Sequence, residues 1–246
     1  MTATDVSARF AAARPDILHP NRRPVDAATL ILVDRAGRTP RVLLGRRNPA
    51  LKFMPGRLVF PGGRVDPQDR GVPVYGTLDA LSERRLQARM VRPSLARARA
   101  LALAAIRETC EETGLVIGTR EAGPPEAMPT GWEAFAQAGV FPDLEALSFV
   151  ARAITPPRLS RRFDTRFFMA DTSRVAHRAA EVVGPDSEFV ELAWLSFAEA
   201  KKAEVPAITL AILEEVEARL AAGNKPWLPV PLYASRHGRM MRETLE

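Results

Sequence analysis

The chain carries its most distinctive sequence in two short stretches, FPGGRVDPQD at residues 60–69 and AAIRETCEETGL at residues 104–115. Apolar residues repeat at helical spacing in the second stretch, and Gly114 stands where a left-handed C-cap closes a helix. Upstream, Ser94 is a suitable N-cap. We therefore predict one long helix between these two caps, preceded in the chain by a glycine turn at residues 61–63.

Three carboxylates share one side of this helix. Glu108, Glu111 and Glu112 stand at relative positions i, i+3 and i+4, so their side chains project in nearly the same direction. At a separation of about 5 Å and an effective dielectric constant of about 20, each pair repels by roughly 3 kcal/mol before screening. We therefore expect a cation to neutralise them, and all-oxygen ligands favour Mg²⁺, Mn²⁺ or Ca²⁺ over zinc. Gly62 and Gly63 have no side chains, so their backbone can approach the same metal or ligand closely.

The two stretches together resemble the signature of the Nudix hydrolases, Gly-x5-Glu-x7-Arg-Glu-U-x-Glu-Glu-x-Gly-U, in which U is a bulky apolar residue. Gly63 takes the first position, and the rest are filled in order by Arg107, Glu108, Glu111, Glu112, Gly114 and Leu115. Asp69 stands where the family has its first Glu, and Thr109 replaces the first apolar residue. The interval from Asp69 to Arg107 holds 37 residues instead of 7. We interpret the extra length as an insertion at residues 70–99, in a loop where added residues cost little closure entropy.

The resemblance implies a divalent-metal site with Mg²⁺ or Mn²⁺ as the cofactor. It makes Glu108 and Glu112 the first metal ligands, with Glu111 assisting and the carbonyl of Gly63 completing the set. The same three glutamates form the centre of the predicted catalytic site.

Two further residues belong to the predicted catalytic set. Arg107 is expected to hold Asp69 and the loop that follows it rather than to react. In this superfamily the general base lies either within the signature or in a later loop, and Glu188 is our downstream candidate for it.

A second pattern lies upstream of the glycines. Residues 43–63 keep the register of the coenzyme A motif of one Nudix branch, Leu-Leu-Thr-x-Arg-Ser-x3-Arg-x3-Gly-x3-Phe-Pro-Gly-Gly, with the substitutions Gly45 for Thr, Asn48 for Ser and Lys52 for Arg. Arg47 keeps its position and Lys52 keeps the charge, so both are expected to contact substrate phosphates, with Gly62 beside them. The insertion and the predicted strand at residues 162–168 also resemble the peroxisomal-type coenzyme A diphosphatases and their bacterial relatives.

The resemblance implies metal-dependent hydrolysis of a phosphoanhydride in a nucleoside diphosphate derivative. Its most specific form is the cleavage of coenzyme A or acyl-CoA to 3′,5′-ADP and (acyl-)phosphopantetheine. A diphosphatase for ADP-ribose, NADH or a nucleotide sugar is the alternative among enzymes. A non-catalytic Nudix-fold nucleotide sensor is the alternative from another class, although a sensor has no need of three crowded carboxylates. RNA processing is favoured only by the basic charge.

The composition of the chain indicates which classes of ligand and partner to expect. The 246 residues carry a net charge of +6 with a pI near 10.2, which favours anionic ligands such as nucleotides. We see no basic stripe interleaved with aromatic residues, so we do not expect nucleic acid as a partner. No apolar run approaches the roughly 20 residues that span a bilayer, so we expect no membrane association. The single cysteine fits a reducing compartment, and we expect a cytoplasmic location, with a homodimer left open.

Apolar runs, turn residues and caps divide the chain into elements. Strands are predicted at residues 27–34, 41–46, 58–60, 116–117, 147–155, 162–170 and 188–195, and helices at residues 79–90, 94–113, 132–138 and 208–222. A further helix is predicted to start at Ser196, with Glu199 completing a capping box. Strands flanked by helices predict an α/β fold, and the resemblance specifies a Nudix-type mixed-sheet α/β/α sandwich with an inserted helical segment. We divide the chain into an N-terminal arm (residues 1–25), a Nudix hydrolase domain (residues 26–222) and a C-terminal tail (residues 223–246).

Overall fold

The computed structural model describes residue 10, residues 19–180 and residues 182–246. Numbered along the chain, its strands are Val25–Asp34 (β1), Arg41–Arg47 (β2), Leu58–Val59 (β3), Gly62–Arg64 (β4), Leu115–Thr119 (β5), Phe141–Pro142 (β6), Ser148–Ile154 (β7), Phe163–Asp171 (β8), Val175–Arg178 (β9), Phe189–Ser196 (β10), Val230–Arg236 (β11) and Arg239–Leu245 (β12). The main sheet has the order β10-β2-β1-β8-β7-β11-β12, with β3 paired to β2 and β4 paired to β1. A smaller sheet has the order β6-β5-β9.

The α-helices are Ala80–Gln87 (α1), Leu95–Thr113 (α2), Glu133–Ala138 (α3), Phe197–Lys202 (α4) and Ala207–Ala221 (α5). Both predicted caps of α2 are confirmed: the hydroxyl of Ser94 accepts a hydrogen bond from the Arg97 N–H, and Gly114 has a left-handed φ of 73°. α4 begins with the predicted capping box of Ser196 and Glu199. Among the described helices, none combines the length and the apolar character needed to cross a membrane.

Helices cover both faces of the main sheet. Because side chains alternate along β1, Leu30 and Leu32 join the core that contains the apolar residues of α2. Ile31 and Val33 project to the other face and pack in the core that contains α5. The mixed-sheet α/β/α sandwich predicted from the sequence is therefore the observed fold.

The glycine turn lies where strands β1 and β2 diverge from each other. β1 and β2 form the predicted hairpin at their shared turn, where Val33 lies opposite Val42. Farther from the turn, β1 pairs with β4, with Ala28 opposite Gly63, while β2 pairs with β3. The backbone of Gly63 is thus fixed by strand pairing, and α2 packs against β1 and β4.

Residues 70–99 form three different pieces. A 3₁₀ turn at Pro67–Gly71 follows the glycine turn, α1 comes next with Asp79 as its N-cap, and residues 95–99 are already the start of α2. α1 is shorter than the helix predicted at residues 79–90, because Ala88 leaves the helical conformation with a ψ of 132°.

The C-terminal segment corrects one prediction. Residues 223–246, predicted as a tail, contain β11 and β12, which form an antiparallel hairpin in the main sheet. β11 also pairs in parallel with β7, with Leu232 opposite Arg152. This partner is remote in sequence, so the segment gives no local signal of its place in the sheet. Most of the predicted arm at residues 1–25 lies outside the described residues, and the other domain limits remain predictions.

Candidate functional site

The end of α2 lies against the glycine turn. Oε2 of Glu112 accepts a hydrogen bond from the Gly62 N–H at 2.9 Å. The carboxylate of Glu108 lies so close to Gly63 that a Cβ at that position would overlap it. A side chain at residue 63 would therefore have to displace the Glu108 carboxylate, which glycine leaves in place. The structure brings together two of the predicted carboxylates and both predicted glycines.

Burial shifts the proton affinity of both carboxyls. Burial raises the pKa of Glu108 to about 7, and the charges of Glu111 and Glu188 add to the rise while Arg107 opposes it. The pKa of Glu112 is raised well above its usual range, first by burial and then by Glu188, against the Gly62 hydrogen bond. The anionic form of each carboxyl is therefore disfavoured, and a bound cation would favour it again.

Arg107 connects the two halves of the split signature. Its Nε donates to Oδ1 of Asp69 at 2.9 Å, and its Nη1 donates to Glu108 and to Glu111, each at 3.0 Å. Asp69 is fully buried and also accepts a hydrogen bond from the indole N–H of Trp132 at 3.3 Å. The predicted contact between Arg107 and Asp69 is present, and Trp132 is a partner that the sequence did not single out.

The side chain of Glu188 reaches the same site from the loop before β10. Its Oε1 accepts a hydrogen bond from Arg47 Nη1 at 2.7 Å, and its charge contributes to the raised pKa of both Glu108 and Glu112. Nearly half of the Glu188 side chain is exposed, so a substrate can reach it. Glu188, predicted only as a downstream candidate, thus lies beside the signature carboxylates.

Asn48 fixes the loop that carries Glu188. Its side-chain amide donates to the carbonyls of Pro185 and Ser187 at 2.8 and 3.1 Å, and its backbone N–H donates to the Glu188 carbonyl at 2.8 Å. These three hydrogen bonds join the end of β2 to the loop before β10. The sequence marked Asn48 only as a departure from the coenzyme A motif, and the structure gives it a positioning role.

Arg47 and Lys52, the predicted phosphate-binding residues, differ in how free their side chains are to contact a substrate. Arg47 is largely buried, and its Nε donates to the Phe53 carbonyl at 2.9 Å while its Nη1 is paired with Glu188. Lys52 is exposed and makes no hydrogen bond or ion pair with another described residue. Gly45 is a glycine because the ring of Phe189 fills the space that a Cβ would need.

The side chains around the glycine turn offer fewer metal ligands than the sequence predicts. Within the described residues, no group of three or more His, Cys, Asp and Glu side chains is placed to hold a metal ion. Glu111 differs from the expectation, because nearly half of its side chain is exposed and it is paired with Arg107. Glu108 and Glu112 both lie against the glycine turn, and a partly buried and a buried carboxyl with raised pKa values fit a divalent cation.

Comparison with solved structures supports the assignment to the Nudix hydrolase fold. No protein-family model matches the chain. Among solved structures, it is similar to a NUDIX hydrolase from Alicyclobacillus acidocaldarius, with 27% identity over 78% of this chain and 90% of that chain and a TM-score of 0.56. The fold is that of the Nudix hydrolases, and this likeness supports a Nudix hydrolase enzyme.

Two further likenesses are more distant. One is to the NUDIX domain of Shewanella oneidensis NrtR complexed with ADP ribose, with 15% identity, coverage of 89% of this chain and 99% of that chain, and a TM-score of 0.46. The other is to a C. elegans Ap4A hydrolase, with 15% identity, coverage of 80% and 99%, and a TM-score of 0.40.

Proposed function

We propose that this protein, an enzyme with the Nudix hydrolase fold, hydrolyses a phosphoanhydride in a nucleoside diphosphate derivative with the help of Mg²⁺ or Mn²⁺. The observation that carries the proposal is the packing of Glu108 and Glu112 against Gly62 and Gly63. Without a cation, burial and mutual repulsion disfavour both charges. A chain that keeps two carboxylates in such a place is equipped for metal chemistry.

The metal would be held by the oxygens of Glu108 and Glu112 and by the carbonyl of Gly63, with Glu111 assisting. Nudix hydrolases generally use divalent metals such as Mg²⁺ or Mn²⁺. When bound, such an ion neutralises the phosphate oxygens and lowers the pKa of an attacking water. Arg107 keeps Glu108 and Glu111 in place through its two hydrogen bonds.

Glu188 is proposed as the general base. Its Oε1 is held by Arg47, whereas its Oε2 has no hydrogen-bond partner among the described residues and is free to take a proton from the attacking water. Water adds to one phosphorus, the bridging P–O bond breaks, and the two products leave as phosphomonoesters. The role of Arg47 is then to orient Glu188, and the substrate phosphates would meet Lys52.

Coenzyme A or acyl-CoA is the proposed substrate, with 3′,5′-ADP and (acyl-)phosphopantetheine as products. The support is the register of residues 43–63 with the coenzyme A motif. Two of the departures from that motif have structural causes, because Phe189 occupies the side-chain space at Gly45 and Asn48 secures the loop of Glu188. We place this enzyme in the cytoplasm, and its homodimerisation remains a prediction.

The test is hydrolysis followed by mass spectrometry. The purified protein with Mg²⁺ or Mn²⁺ is given coenzyme A, acyl-CoA, NADH, ADP-ribose and capped RNA. Release of 3′,5′-ADP with coenzyme A or acyl-CoA turned over fastest supports the proposal. Preference for ADP-ribose or NADH keeps the metal chemistry and rejects the coenzyme A assignment. Tight binding of a nucleotide without turnover would instead indicate a sensor.

A further inference from the structure

Phe53 lies next to two guanidinium groups. Its ring centroid is 6.0 Å from the Cζ of Arg47 and 5.8 Å from the Cζ of Arg161. Phe53 belongs to the loop between β2 and β3, whereas Arg161 belongs to the loop between β7 and β8. Phe163 supports the ring from the side at a centroid distance of 6.1 Å. The end of β2 and a loop that is distant from it in sequence thus place two arginines beside one aromatic ring.

The two arginines differ in how many of their guanidinium N–H donors are available for a ligand. Arg47 is largely buried and uses its guanidinium on Glu188 and on the Phe53 carbonyl. Arg161 is exposed, and within the described part of the chain it makes no hydrogen bond or ion pair. Its guanidinium therefore has all five N–H donors available, while the ring of Phe53 restricts its position. Lys52, adjacent to Phe53, is a second exposed cation, and it has no hydrogen-bond or ion-pair partner among the residues that the structure describes.

We propose that Arg161, positioned by Phe53, forms a second anion subsite that binds a phosphomonoester on the ribose of the substrate. The inference rests on the proposed function, and it names the part of the substrate that the enzyme selects. The planar guanidinium fork suits a phosphate better than any other side chain does. A neutral base or a pantetheine arm would not need an exposed arginine and an exposed lysine at this place.

The position of Arg161 suits a nucleotide that carries a phosphoanhydride and a second phosphate on the same ribose. Arg47 contacts both Glu188 and Phe53, so the subsite begins one side chain away from the proposed general base. The guanidinium groups of Arg47 and Arg161 are close together, because both Cζ atoms lie within 6.0 Å of the Phe53 ring centroid. In this proposal the phosphoanhydride lies at the glutamates and another phosphate of the same ribose lies at Arg161.

The test compares nucleotides that differ by one phosphate. Calorimetric titration of the full chain with 3′,5′-ADP and with 5′-AMP, both with Mg²⁺, measures the preference for the phosphomonoester. We expect Arg161→Gln to reduce that preference about tenfold, since an exposed charged hydrogen bond is at the lower end of such contacts. Phe53→Leu should reduce it in the same direction, because the guanidinium then loses its support.

Arg158→Gln is the matched control. Arg158 lies in the same loop, is exposed and makes no side-chain hydrogen bond or ion pair with another described residue, so the variant removes the same charge elsewhere. Its preference should equal that of the unaltered protein. Equal effects of Arg161→Gln and Arg158→Gln, or no preference for 3′,5′-ADP in the unaltered protein, would overturn the proposal.

Two further experiments identify which ribose phosphate is bound and distinguish failure of the subsite from failure of the proposed function. Replacing 3′,5′-ADP by 2′,5′-ADP distinguishes the 3′-phosphate of coenzyme A from the 2′-phosphate of NADPH, and tighter binding of one isomer identifies the ligand. Hydrolysis by the unaltered protein is measured separately. Absence of turnover counts against the proposed function, whereas an active enzyme with an unchanged preference in Arg161→Gln counts against the subsite alone.

Discussion

Arg107 and Asp69 are 38 positions apart in the chain, yet the guanidinium of the first donates to both carboxylate oxygens of the second, at 2.9 and 3.2 Å. The pair ties the turn after Gly63 to the C-terminal half of α2, so the long segment between them does not displace the glutamates. Asp69→Asn should lower the free energy of unfolding by about 1–3 kcal/mol, since a buried charged hydrogen bond is lost. Urea denaturation measures this loss.

The control for that pair is the exposed ion pair of Lys201 and Glu217, whose N–O distance is 2.6 Å. Glu217→Gln should change the free energy of unfolding by at most about 1 kcal/mol, because water screens the pair. If both variants had the same small effect, Asp69 would not be the anchor that its burial indicates.

Glu112→Gln tests the metal assignment. The amide keeps the shape of the carboxyl and can still accept from the Gly62 N–H, so the fold should be retained. Hydrolysis should fall at least about 100-fold, because a neutral amide is a poor ligand for a divalent cation. The melting temperature with and without Mn²⁺ gives a second readout: the metal should stabilise the unaltered protein and not the variant. Full activity of the variant would reject Glu112 as a ligand.

Gly63→Ala tests the close approach of α2 to the glycine turn. The added Cβ would overlap the carboxylate of Glu108 and displace it. A displacement of about 1 Å in a catalytic group lowers turnover by up to about 100-fold. Gly37→Ala is the matched control, since a Cβ there has no neighbour within 4 Å, and its kcat should be unchanged. Normal kcat in Gly63→Ala would show that Glu108 has room to move without consequence.

Glu188 and Glu191 offer a comparison of two similar carboxylates. Each accepts a hydrogen bond at 2.7 Å from an arginine of β2, and each is about half exposed, but only Glu188 contributes to the pKa values of Glu108 and Glu112. Glu188→Gln should lower kcat about 100-fold, as expected for loss of a general base, whereas Glu191→Gln should retain it.

Asn48→Ala should lower kcat less than Glu188→Gln, because it leaves the Glu188 carboxylate in place. It removes the two side-chain hydrogen bonds to the loop of Glu188 and the one that Oδ1 accepts from the Ala50 N–H. If Asn48 acts through Glu188, the double variant should be no slower than Glu188→Gln alone. Additive losses in steady-state kinetics would instead give Asn48 a separate role.

Glu215 predicts how stability depends on pH. Burial tends to raise its pKa, but the hydrogen bonds from Arg242 and Tyr233 outweigh burial, and the pKa of this carboxyl is lowered. A carboxyl with a lower pKa in the folded state stabilises the protein above its unfolded pKa of 4.5 and loses that contribution as pH falls toward the folded value. Glu215→Gln should therefore be less stable near neutrality and lose less stability on acidification, as measured by thermal unfolding across pH. Parallel curves for the two proteins would contradict this.

The elements that the sequence predicted well are those with local causes. Ser94 and Gly114 specify both ends of α2, because each cap acts on backbone groups within one turn of the helix. The spacing of Glu108 and Glu112 places both on the side of that helix that meets the glycine turn. These features follow from helical geometry and need no knowledge of distant residues.

Only the tertiary structure decided which distant groups complete the site. Trp132 supports Asp69, Asn48 secures the loop of Glu188, and Arg161 meets Phe53, and none of these pairs has a periodic or motif-like signal. The hairpin of β11 and β12 belongs to the same class, because its place beside β7 depends on a non-local pairing. The sequence by itself determined the caps and the carboxylate face, since these depend on short-range backbone geometry. The partners of those groups depend on where the sheet brings separate loops together, which is a property of the folded chain.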